Sequence, residues 1–152
     1  MLLLTPTKEQ TVREFNINFD YEPDSKVAGI GFYFEHELME LVIQADGACD
    51  FITLEEFLST LTEAYRPYMF TMEVMESLAR QLFTVVAAQN RDYIYKTLAD
   101  FILIIETEAE SHFGFETILR ANELKINDEL KELASGNKPL PDPSENNLGG
   151  KY

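Results

Sequence analysis

Cysteine is nearly absent from this chain. Cys49 stands alone in 152 residues, so no internal disulfide can form and a disulfide-stapled scaffold is excluded. With only two histidines, His36 and His112, no Cys/His cluster has the spacing of a zinc site. Long apolar runs are missing as well. Phe101 to Ile105 falls far short of the ~20 residues that span a bilayer. The opening Met1 to Leu4 run has no positive stretch before it, so neither a signal peptide nor a membrane anchor is expected and the chain is read as cytoplasmic. Glycines are scattered and form no phosphate-cradling loop, while Ser59, Ser77 and Ser111 stand in no nucleophile-elbow context. Cys49 has no adjacent base. No catalytic residue, metal or cofactor is expected, and the protein is read as a non-enzyme.

Positive charge is the most telling scarcity. Twelve Lys and Arg face 27 Asp and Glu, for a formal net charge of -15. The field around such a protein is negative nearly everywhere, which disfavours nucleic acid and anionic membrane as direct ligands and favours a basic protein surface. The shortage is also uneven. Between Lys26 and Arg66 there is no Lys or Arg, while Glu35, Glu37, Glu40, Asp46, Asp50, Glu55, Glu56 and Glu63 all occur. Between Lys96 and Arg120 the same holds around Asp100, Glu106, Glu108, Glu110 and Glu116. Clustered carboxylates repel one another, so such a face is either a solvated surface or one shaped for a basic partner. The first eight are the candidate partner-binding residues.

What the chain does have is a core. Hydrophobic residues make up 45%, with eleven Phe and seven Tyr, too many for a disordered acidic polypeptide. From Thr11 to Tyr21, Phe15, Ile17, Phe19 and Tyr21 alternate with polar residues, the period of a half-buried strand, although Val12 breaks the pattern. Glu22 to Lys26 supplies turn chemistry, and a second strand follows from Val27 to Phe34 with Ala28, Ile30, Phe32 and Phe34 on one face. The stretch Glu35 to Ala45 fits helical and strand periods alike and is assigned as helix, ended by Asp46-Gly47.

Four further helices are expected. The first starts at an N-cap Thr53 with Glu56 completing a capping box, and carries Leu54, Phe57, Leu58, Leu61 and Tyr65 inward until Arg66-Pro67. The next runs from about Thr71 to Gln89 on Met72, Met75, Leu78, Ala79, Leu82, Phe83 and Val86. A third covers about Arg91 to His112, with Gly114 as its stop, and a fourth covers about Phe115 to Ala134 with Ile118, Leu119, Ile126, Leu130 and Leu133 inward. Residues 1–135 form one domain on this reading. Gly136 to Tyr152, with Pro139, Pro141 and Pro143, should be a flexible tail that is dispensable for folding. The fold class is α+β, an N-terminal β-hairpin packed on a bundle of about four helices, mostly helical.

Three local groupings hint at chemistry. Asp46 to Phe57 sounds like the second half of a calcium loop, but with Glu56 as the twelfth position the ligand positions fall on Ala45, Gly47 and Cys49, and the turn glycine is replaced by Asp50. Glu108 and His112 lie one helical turn apart, as metal ligands would, but His112 also stands where a helix end favours a cation. Met69, Met72 and Met75, with Tyr65, Tyr68 and Phe70, suit a helix corner in the core or a docking surface. The function expected is a non-catalytic acidic binding protein that inhibits a basic protein, of the immunity-protein or phage anti-defence type, with nucleic-acid mimicry as one route. The alternatives are an assembly or chaperone subunit acting by self-association, and a small carboxylate or metal-dependent enzyme.

Overall fold

A computed structural model describes residues 7–62, 70–107 and 112–135. The elements are α1 (Lys8–Glu14), β1 (Asn18–Glu22), β2 (Val27–Phe34), β3 (Glu37–Gln44), α2 (Phe51–Leu61), α3 (Met72–Ala87), α4 (Arg91–Thr107) and α5 (His112–Ser135). The architecture is α+β and mostly helical, an antiparallel sheet of order β1-β2-β3 near the N-terminus covered by helices. The expected Gly136 to Tyr152 tail lies outside the described residues.

The first difference from the sequence reading is at the start. Thr11 to Tyr21 is not one strand: about two helical turns precede β1. The Thr7 hydroxyl accepts from the Gln10 amide at 3.1 Å and the Gln10 side chain accepts from the Thr7 amide at 2.8 Å, a reciprocal cap. Seven residues are too few to hold a helix alone. Packing against α4 holds this one: Val12 is fully buried, Arg13 reaches Asp92 at 2.9 Å and lies over the Tyr95 ring, and Lys8 meets Glu106 at 2.6 Å. Val12 broke the strand alternation because it belongs to this helix.

The second difference is Glu35 to Ala45, which is strand rather than helix. β3 pairs along all of β2, from Val27 opposite Gln44 to Phe34 opposite Glu37. Leu41 and Ile43 are fully buried while Leu38 and Val42 face out, so the period of two prevails. The deciding element is the two-residue connection. Glu35 and His36 both take positive φ, at 50° and 71°, which matches the primed turns whose twist suits a tight hairpin. Neither is a glycine or asparagine, so no local sequence signal announced the turn.

The third is the start of α2. Asp50, not Thr53, is the cap, and its carboxylate accepts from the amides of Ile52 and Thr53. Thr53 is buried inside the first turn. Leu54, Phe57, Leu58 and Leu61 are buried as expected, with the Phe57 and Phe32 rings 5.0 Å apart. Between β3 and α2, Gly47 has φ +92°, and a Cβ there would sit 2.8 Å from the Glu76 carbonyl oxygen and 2.8 Å from Arg80 Cγ. Only glycine fits.

α3 is capped by Thr71 and packs on all three strands, with α2 beside it on β2 and β3. The expected stripe is buried at Met75, Leu78, Ala79, Leu82 and Val86, but Met72 in the first turn is exposed. α4 is described to Thr107 and α5 from His112, and Gly114 lies inside α5 rather than stopping a helix. In α5, Leu119 and Ile126 are buried, Leu130 is half-buried and Ile118 is exposed. The α3–α5 seam holds a polar network: the buried Gln81 amide donates to Ser77 Oγ and to the Leu119 carbonyl, and accepts from Asn122 at 3.0 Å. Each partner is satisfied, as a buried amide requires.

Candidate functional face

Helices α2 and α3 pack on the sheet, with Tyr95 of α4 edge-on to Phe19 of β1, and the side away from the buried strand residues leaves Tyr33, Leu38 and Val42 exposed. β2 turns Ala28, Ile30 and Phe32 inward, joined by Phe19 and Tyr21 from β1 and Met39, Leu41 and Ile43 from β3. The opposite parity builds an outer face in rows fixed by the register. Glu22, Val27 and Gln44 form one row, Asp20, Gly29 and Val42 the next, then Asn18, Gly31 and Glu40, and finally Tyr33 with Leu38. Leu38 is 65% exposed, Tyr33 54% and Val42 44%, an apolar share that an outer sheet face does not need for stability.

The middle of this face is a furrow. Gly29 and Gly31 are its floor, Asn18 and Asp20 one wall, Leu38 and Glu40 the other, and the hollow measures about 450 Å³. Both glycines sit in the central strand, where glycine weakens a sheet. The fold does not demand them. Among the described residues a Cβ on Gly29 would find nothing nearer than 3.8 Å, and on Gly31 nothing nearer than 3.7 Å, with no positive φ at either. The point above Gly29 lies 3.8 Å from Asp20 Cβ and 3.9 Å from Glu40 Oε2, so a Glu40 carboxylate oxygen reaches over the bare backbone and the Asp20 side chain starts beside it.

The eight acids singled out from sequence do not form one face. Glu40 is on the outer sheet face, whereas Glu55 and Glu56 ride on α2, which packs against the inner one. Glu35 and Glu37 stand at the exposed β2–β3 tip. Asp46 and Asp50 do structural work: Asp46 accepts from the Ala48 amide at 3.0 Å in a tight turn, and Asp50 caps α2. Glu63 lies outside the described residues. The outer face adds Asp20 and Glu22, which the sequence reading passed over. The available signal was the pair of glycines two apart in a strand, which places both on one face.

Pairing differs between this region and part of the helical layer. On the helices Glu9 and Asp92 share Arg13, Glu106 has Lys8, Glu123 has Arg80 and Asp100 has Lys96, while Glu14, Glu73, Glu76 and Asp128 have no ion pair among the described residues. Among the described residues no ion pair reaches Asp20, Glu22, Glu35, Glu37, Glu40, Glu55 or Glu56, and the three strands contain no Lys or Arg. In the second run, Asp100 is met by Lys96 one helical turn before it, and Glu106 by Lys8 from α1, a contact that its sequence neighbourhood did not show.

Other candidate groups lead to no chemistry. Burial, with Asp50 beside it, pushes the Cys49 thiol up to about 11, so it stays protonated at neutral pH and is a poor nucleophile. Burial and the neighbouring Glu129 carboxylate, which accepts from the Tyr93 hydroxyl at 3.2 Å, hold the Tyr93 phenol above its ordinary range. Among the described residues no three His, Cys, Asp or Glu side chains gather as metal ligands, and no helix is long and apolar enough to cross a membrane. Glu108 and the His112 side chain lie outside the described set, as do Tyr65, Tyr68 and Met69 of the aromatic and methionine group, in which Met75 is core and Phe70 half-buried. No known protein family, curated protein or solved structure matches the chain.

Proposed function

We propose that this chain is a non-catalytic, cytoplasmic binding protein that neutralises a basic protein by covering its charged surface, the mode of an immunity protein or a phage-encoded inhibitor of host defence. The observation that supports it most is the outer sheet face itself: Asp20, Glu22 and Glu40 stand there with no ion pair among the described residues, on strands that contain no Lys or Arg, beside exposed apolar side chains. Exposed Tyr33, Leu38 and Val42 lie among the bare charges, so a partner would gain apolar burial as well as charge complementarity. Long-range steering follows from the net charge of -15 and weakens as the Debye length falls from ~10 Å at 0.1 M salt to ~3 Å at 1 M.

Affinity capture from the native host, followed by rate measurements on the purified partner, tests this. The expected partner is a basic protein retained at low salt and released at high salt. The triple variant Glu35→Gln, Glu37→Gln, Glu40→Gln should associate several-fold more slowly with its fold intact. An acidic or neutral partner, or an unchanged association rate at low salt, would refute the reading. One observation supports self-association instead: β3 is an eight-residue edge strand with its outer edge unpaired among the described residues. A mass that rises with concentration in sedimentation would favour that assembly role.

A further inference from the structure

We infer that the outer face of the sheet docks an extended basic segment of the partner, in which the side chains turned toward the sheet, every second residue, are by turns Arg or Lys and apolar. This rests on the proposed function and adds to it the place of binding and the chemistry of what binds. The face is an unpartnered antiparallel sheet whose acidic and apolar positions alternate along β3, as Leu38, Glu40, Val42. An extended segment repeats its side chains every second residue, at ~6.6 Å, which is the spacing of rows on the sheet beneath it. A cation arriving above Gly29 would meet Asp20 from one side and Glu40 from the other. The next apolar side chain would fall on Leu38 and Tyr33 or on Val42.

The glycines explain why a long side chain can reach the floor. A bare backbone at Gly29 and Gly31 leaves the furrow open, and since no crowding or positive φ requires glycine there, the fold alone does not account for them. Arginine suits the place because its stem can lie on Leu38 while its fork meets carboxylates. A second copy of the chain does not suit it: the face carries Asp20, Glu22 and Glu40 without a base, so two such faces would repel. Nucleic acid is repelled for the same reason.

The test is an NMR titration of the ¹⁵N-labelled full chain at low salt with the synthetic octapeptide Arg-Ser-Val-Ser-Arg-Ser-Val-Ser, which when extended turns Arg and Val to one side, and with the octapeptide in which Glu replaces Arg as control. Binding of the Arg peptide should shift the amides of Asp20, Gly29, Gly31, Leu38 and Glu40. Gly31→Val, which fills the furrow, should weaken binding at least tenfold without lowering the thermal midpoint. Leu38→Ser, at an exposed position safe for folding, should weaken it several-fold. Shifts centred on Glu55 and Glu56, or wild-type affinity in both variants, would overturn the sheet-face site while leaving a basic partner in place. Equal binding of the Glu peptide, or no shift with either peptide, would overturn both the site and the charge reading.

Discussion

The two faces of the sheet are made from the same three strands yet meet opposite demands. On the inner face every central position is filled, and the one glycine that borders it, Gly47, is dictated by its φ of +92° and by backbone of α3 at 2.8 Å. On the outer face Gly29 and Gly31 are dictated by neither, and exposed apolar residues stand among carboxylates without bases. The inner face is explained by folding. The outer one departs from what folding alone would choose, and such departures concentrate at functional sites.

The contrast can be broken by mutation. Phe32→Ala removes a fully buried ring that packs on Phe57, and should lower stability in urea unfolding by about 3–5 kcal/mol. Gly47→Ala combines a left-handed backbone with an overlap against the Glu76 carbonyl, and about 2–4 kcal/mol of destabilisation is expected. A loss under about 1 kcal/mol would show that the β3–α2 turn relaxes freely. Gly31→Ala should go the other way, raising the thermal midpoint slightly or leaving it, within the ~1 kcal/mol range of strand propensity. A clear drop would mean that the fold needs glycine there after all. Leu38→Ser should change stability by less than about 0.5 kcal/mol despite replacing a large apolar side chain, because that side chain is mostly in water already. A larger loss would mean that the outer face is covered within the chain itself.

Much of this could be read from residue order. The alternation of Ala28, Ile30 and Phe32, and the helical stripes of α2, α3 and α4, report burial directly because one face of each element meets the core. The boundaries were less legible. Thr7 with Gln10 and Asp50 with Thr53 are caps of ordinary composition, and the Glu35-His36 turn has residues that disfavour the backbone it adopts. Of the candidate site, Glu35, Glu37 and Glu40 were legible as a run of unneutralised charge, and Asp20, Glu22 and the glycine floor were not.

By itself, then, the sequence determined an α+β chain with a large core, an acidic field and a base-free stretch, since these depend on composition and local period. Tertiary structure decided β3, because Leu38 to Ile43 satisfies either period and only pairing with β2 selects the strand. It also divided the acidic run between two sides of the sheet, because a strand reverses direction at every residue and a helix turns by 100°, so contiguity in sequence is not contiguity in space. The furrow exists only in the register, where Asp20 and Glu40, twenty residues apart in the chain, are brought over Gly29 by the hydrogen bonds of β2 to both its neighbours.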